Sequence, residues 1–169
     1  MYLLKQGNLI AYATKTEEEM NSAKENMPYD EIIETDENYI LLNGAFVTET
    51  EALQAKKSQK HIENTQKAKQ AVENGFVTFK NAEFETNAQT VGDLTATMLI
   101  LQASGSAEPY TWLSKDDKAV ELSVEDFGIL GGLIAEFKNA VWNEKYLAYK
   151  TAIEQAETLA ELEEIEIEY

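Results

Sequence analysis

Apolar and polar positions along this chain switch between a period of two and a period of three to four, and turn residues or helix caps mark the switches. Residues 8–13 (Asn-Leu-Ile-Ala-Tyr-Ala) read as a short strand. Thr16 followed by Glu19 is a capping-box pair, in which a hydroxyl and a carboxylate satisfy the free N–H groups of a helix start. A helix is therefore expected near 16–26, with Pro28 ending it. Residues 29–35 and 39–42 read as strands on either side of the acidic turn Asp36, Glu37, Asn38. Asn43-Gly44 is a tight-turn signal, because both residues tolerate positive φ, and Ala45, Phe46 and Val47 form the returning strand. Residues 1–48 thus make a small β-rich module with one helix.

Thr48 and Glu51 form a second capping box, and no Gly or Pro follows until Asn74-Gly75. One helix over 49–74 is expected, with a thin apolar face of Leu53, Ile62, Ala68, Ala71 and Val72. A helix this polar reads as a solvated linker or as a coiled-coil stem that needs partner copies, in a trimer through residues 49–74.

Beyond Gly75 the pattern returns to period two. Phe76 to Phe79 and Glu83 to Glu85 flank the turn Lys80, Asn81, Ala82 and predict a hairpin. Thr90 and Asp93 open a short apolar helix through Met98, Leu99, Ile100 and Leu101, which Ser104-Gly105-Ser106 breaks. Residues 110–113 and 120–122 predict a second hairpin around the acidic turn 114–118. Ser123 and Asp126 cap the next helix, where Phe127, Leu130, Ile134, Phe137 and Val141 share one face. The frame then slips by one residue to Trp142, Tyr146, Tyr149 and Ile153, a turn of about 100° that calls for a bend or for two packing partners in succession. Thr158 and Glu161 cap a last short helix, and Ile165, Ile167 and Tyr169 alternate with glutamates as in a terminal strand. The fold class expected is α+β: an N-terminal module over 1–48, a linker or coiled-coil helix over 49–74, and a C-terminal domain over 75–169 of two β-hairpins packed on helices.

Composition narrows the chemistry. No cysteine is present, which removes disulfides, thiol nucleophiles and cysteine-ligated zinc, and His61 is the single histidine. All 14 basic residues are lysines, so the bidentate carboxylate and phosphate partner, arginine, is missing. The net charge of −17 repels DNA and RNA, so no nucleic-acid partner is expected. No apolar run approaches the roughly 18 residues of a membrane helix, and the first residues lack a signal-peptide pattern, so no membrane partner and a cytoplasmic site of synthesis are expected.

The candidate sites are few. His61 lies on the long helix between Lys60 and Glu63 and reads as an exposed helix histidine, since nothing near it has ligand spacing. Ser114, Asp116 and Asp117, with Glu125 or Asp126, carry oxygens that calcium takes, but the turn lacks the glycine and spaced acids of a calcium loop and reads as a hairpin turn. Glu83 with Glu85, Glu163 with Glu164, and Glu166 with Glu168 are carboxylate pairs of the kind a glycosidase uses, without a visible sugar cleft. No catalytic residue, cofactor or metal ligand is therefore assigned, and no enzyme is expected. Trp112, Trp142, Tyr146 and Tyr149 serve either as core or as a contact surface, and Trp142, Tyr146 and Tyr149 are the residues expected to bind a partner.

Residues 109–169 carry a resemblance. An aromatic hairpin with an acidic turn (Trp112, Asp116, Asp117) leads into Val120-Glu-Leu-Ser-Val-Glu-Asp-Phe127, an amphipathic helix, the spaced Trp142, Tyr146 and Tyr149, and the run from Ala152 to Ile165. Together with the hairpin and helix of Phe76 to Ala103, this resembles the phage and prophage family filed as domain of unknown function 4376, over roughly residues 75–169. The resemblance implies a tail-fibre or baseplate-associated structural or adhesion protein of the virion, with phage tail or fibre proteins as partners. A fibre-assembly chaperone absent from the virion is the alternative. A third reading, from the charge alone, is an acidic mimic of nucleic acid that inhibits a host defence complex.

Overall fold

The computed structural model describes residues 1–6, 9–105 and 107–169. Helices take 54% and strands 23%, and every strand pair is antiparallel, which makes the chain α+β as the patterning predicts. The described residues divide into two compact units. One holds Met1–Lys60 and Ala156–Glu164, the other His61–Gln155 and Ile165–Tyr169.

In the first unit, β1 (Tyr2–Gln6) and β2 (Leu9–Thr14) precede α1 (Glu17–Asn26) and β3 (Glu31–Glu34). They form a three-stranded sheet in the order β2-β1-β3, with α1 packed on β1 and β2 and its Met20 buried. The strand expected over 8–13 is β2, and its Asn8 lies outside the described residues. The patterning missed β1. Leu3 and Leu4 are consecutive and so point to opposite faces of β1, yet both are buried, and no alternation announces the strand. Thr16 caps α1 by accepting from the Glu19 N–H, as its spacing predicts. The acidic turn at 36–38 joins two separate sheets, because β3 pairs with β1 while β4 (Tyr39–Leu42) pairs with β5 (Ala45–Thr48). Between β4 and β5, Asn43 and Gly44 take φ of 51° and 85°, the doubly left-handed turn whose twist matches a hairpin.

The long helix, α2, runs Glu49–Asn74, with Thr48 and Glu51 bonded reciprocally at its start. It is not solvated along its length: Ala52, Asn64 and Ala68 are buried. Ala68 belonged to the apolar seam expected to face other copies, and burial within the second unit takes it out of that seam.

The second unit contains β6 (Phe76–Phe79) and β7 (Ala82–Glu85), α3 (Ala88–Ser104), then β8 (Tyr110–Leu113) and β9 (Ala119–Leu122). Asn87, not Thr90, caps α3, since its side chain accepts from the Thr90 N–H. Gly105 ends α3 at a φ of 63°, and Ser106 lies outside the described residues. Helix α4 (Val124–Asn139) opens on the complete Ser123–Asp126 capping box. It continues without a break into a π-helical segment, Ala140–Tyr146, and then α5 (Leu147–Gln155).

That π segment coincides with the one-residue slip in the sequence pattern. A π turn closes i→i+5 and so holds one residue more than an α turn. It therefore absorbs the extra residue, and Val141 before the slip and Ile153 after it are both buried. The expected bend or change of partner is replaced by this local change of winding.

The core of the unit joins both hairpins to both helices: Ala82, Phe84, Leu94, Val120, Leu122, Phe127, Leu130 and Ile134 are buried together, with Trp112 packed against them. Phe137, the fourth residue of the predicted stripe, is half-buried and lies over Gly75 instead. A Cβ at Gly75 would meet the Phe137 ring at 2.6 Å and the Ala71 carbonyl at 2.5 Å, so the position excludes any side chain.

Candidate functional site

Lysines and acids in the turns strap the two hairpins together. Asp116 accepts from the Ser114 hydroxyl (2.7 Å) and the Glu83 N–H (3.0 Å) and pairs with Lys118. The Lys115 N–H donates to the Glu83 carbonyl at 2.8 Å, and Lys118 donates to the Asn81 carbonyl at 2.7 Å. Lys80 reaches the Asp126 carboxylate at 2.6 Å and the Glu121 carbonyl at 3.1 Å. Two of the acids considered for calcium, Asp116 and Asp126, are thus engaged in the hairpin turn and the helix cap. The Lys118 ammonium, then Ser114 and the Glu83 N–H, hold the Asp116 carboxyl well below the usual carboxylate range. Lys80, then the Ser123 N–H, hold Asp126 down at about 2. Among the described residues no group of three or more His, Cys, Asp or Glu is placed to hold a metal ion.

The strap has a pH signature. A carboxylate whose folded pKa is depressed contributes stability above its unfolded value, about 3.9, and loses it as pH falls through the folded value. The melting temperature should therefore fall as pH drops from about 4 towards 2, and Asp126→Asn should melt lower at neutral pH and show a shallower fall. Thermal melts of both proteins across that range decide it, and the difference is small because Lys80 is exposed.

Trp142, Tyr146 and Tyr149, the expected partner-binding residues, are all half-buried. Trp142 meets Tyr146 edge-on at 5.3 Å, and Tyr149 meets Tyr169 edge-on at 5.8 Å. The Tyr149 hydroxyl donates to the Glu168 carbonyl (3.0 Å) and accepts from the Glu168 N–H (3.1 Å). Lys67 donates to the Ile167 carbonyl at 3.0 Å. The Tyr169 hydroxyl donates to the side-chain oxygen of the buried Asn64, whose amide donates to the Tyr146 carbonyl at 3.1 Å. Burial, and then the neighbouring Tyr149 and Tyr146, push the Tyr169 phenol up to about 12, so it stays a neutral donor.

These contacts form a clasp on the C-terminal residues 165–169. The sequence alternation there is real, since Glu166 and Glu168 are exposed and Ile167 is buried. No strand forms, because the backbone bonds that a sheet neighbour would make come from Tyr149 and Lys67 instead. Asn64, Lys67 and Tyr169 were not singled out in the sequence. The one signal was an asparagine four residues before Ala68 on an otherwise charged helix. Tyr149→Phe removes both bonds to Glu168 at once. The Glu168 amide should then exchange its hydrogen about tenfold faster, the equivalent of roughly 1.4 kcal/mol of local opening. Unchanged protection would show that the clasp does not depend on Tyr149.

A different part of the second unit carries exposed apolar side chains. Leu99 and Ile100 on α3, Tyr110 and Leu113 on β8, and Ile129 on α4 all face solvent. A groove of about 530 Å³ lies between the Asp93, Ala96, Thr97, Ile100 side of α3 and β8. His61 is half-buried on α2.

An α+β unit of two cross-strapped hairpins on a π-interrupted helix, closed by a clasped tail, is the class of fold that carries these surfaces. Residues 52–169 match the family described as Domain of unknown function (DUF4376), and the chain belongs to that family. The match begins earlier than the resemblance drawn from residue 75 and takes in nearly all of α2. No curated protein and no solved structure matches the chain.

Proposed function

We propose that this chain is a phage tail-fibre or baseplate-associated protein that acts through protein–protein contacts in the virion and not by catalysis. The observation that carries this reading is that the second unit leaves large apolar side chains exposed outside α3 and β8 as well, Ile129 on α4 and Leu147 on α5. Large apolar side chains left in water favour being covered by a partner. The family resemblance supplies the setting, with tail or fibre proteins as the partners. A fibre-assembly chaperone would use the same surface and leave the particle afterwards. The test is disruption of the gene in the phage or lysogen that encodes it, with complementation. Particles should then lack fibres or fail to adsorb, and the intact gene should restore both. Normal fibres and adsorption without the gene would sink the proposal.

A further inference from the structure

We propose that the outer side of α3 together with β8 is the surface through which two copies of this chain associate. The inference does not rest on the phage reading. A helix ordinarily turns its apolar residues to the core and its polar ones to water. Helix α3 contains one charged residue, Asp93, yet only Thr90 and Leu94 are buried along its length. Leu99 and Ile100 are 56% and 67% exposed, and Tyr110 and Leu113 on β8 are 46% and 65% exposed.

At roughly 200 Å² for a large side chain, these four leave about 450 Å² of apolar surface in water, over half of the roughly 800 Å² per partner in a standard interface. Strand β8 pairs only with β9 among the described residues, and its four residues line the groove. Exposed edges are normally protected by charge, proline or a bulge. Tyr-Thr-Trp-Leu has no charge and no proline, and its register against β9 is unbroken.

Charge selects the occupant. The chain carries −17, but between Ala88 and Ser114 the only charged residues are Asp93 and Glu108. Both carboxylate oxygens of Asp93 accept from Gln89, at 2.9 and 2.8 Å. A basic partner would be drawn to the acidic remainder of the surface, whereas two equally acidic copies can meet only where neither brings charge. The face also carries its own complement. Gly92, Ala96 and Ala103 leave hollows on the same exposed helix as the projecting Leu99 and Ile100, and nothing in the chain lies within 4 Å of a Cβ added at Gly92. Projections beside hollows on one helix allow that helix to pack against its own copy across a two-fold axis.

Sedimentation equilibrium of the full chain up to about 300 µM tests this. A dimer is expected, and it should tighten between about 0.05 and 0.5 M salt, since salt screens the repulsion between like-charged copies. Ile100→Lys and Leu113→Lys lie on separate elements, and each should weaken the dimer at least tenfold. Ile62→Lys, on the exposed part of α2, should leave it unchanged. Unaltered tryptophan fluorescence melts check that the variants fold, and Leu99→Lys replaces either one that does not. A monomer at every concentration overturns the proposal. So does a dimer that loosens with salt, ignores both lysine substitutions, or dissolves with Ile62→Lys.

Discussion

Replacing Phe84 by alanine is expected to cost the second unit about 3–5 kcal/mol, the range for deleting a fully buried aromatic that its surroundings cannot refill. Phe84 sits on β7 with 1% of its surface exposed, amid Ala82, Leu122, Phe127 and Leu130, and Phe79 meets it at 6.4 Å. Two hairpins and two helices converge on that ring, so no single element can move inward to fill the space. Both tryptophans, Trp112 and Trp142, belong to the second unit, so their fluorescence during urea unfolding follows that unit by itself. A domain holds only about 5–15 kcal/mol in total, so the variant should lose a large share of its stability at 25 °C. A loss under about 1 kcal/mol would show that β7 does not enter the core as described.

The second large effect belongs to Asn64. It is completely buried, donates to the Tyr146 carbonyl at 3.1 Å, and accepts from the Tyr169 hydroxyl. Asn64→Ala removes both of these side-chain bonds, while the Tyr146 carbonyl stays within its helix and the Tyr169 hydroxyl keeps a longer contact, 3.4 Å, to the residue-64 backbone carbonyl. Each lost bond is worth about 0.5–1.5 kcal/mol, so the variant should lose roughly 2 kcal/mol. Asn64→Leu keeps the volume and should lose nearly as much, which separates the hydrogen bonds from the packing. Tyr169→Phe should lose less, because Asn64 keeps its bond to Tyr146. Urea unfolding gives the stabilities, and hydrogen exchange over 165–169 reports the clasp. If Asn64→Leu is as stable as the parent, the bonds at Asn64 add nothing net and the clasp is held by packing alone.

Both residues lie in parts of the fold that were unevenly legible in the sequence. Local chemistry read well. The caps at Thr16, Thr48, Ser123 and Thr158, the Asn43-Gly44 turn and the extent of α2 follow from groups only a few residues apart. Phe127, Leu130 and Ile134 read correctly as core because an amphipathic helix repeats its buried face. The failures arise where a distant partner decides. β1 has no period because side chains on both of its faces, Leu3 and Leu4, are buried. The tail alternates like a strand, but the groups that satisfy its backbone come from Tyr149 and Lys67, far away in sequence. The slip after Val141 was visible as a slip, but its resolution into a π turn depends on the packing on both sides.

Asn64 shows the limit for the candidate site. On a helix with five lysines it reads as one more polar residue, and only the fold reveals that it is buried against Tyr146 and Tyr169. Trp142, Tyr146 and Tyr149 were legible as aromatics at helical spacing. The attachment of Tyr149 to the tail was not, since residues 165–169 return to it from outside the helix.

Mass spectrometry of gradient-purified particles, from the phage or prophage that encodes this chain, tests the proposed role most directly. The chain is expected in intact particles in fixed ratio to the tail and fibre proteins, retained through high-salt washing because the contact surface is apolar and uncharged. Its absence from intact particles, while it remains abundant in the lysate, would contradict a virion role.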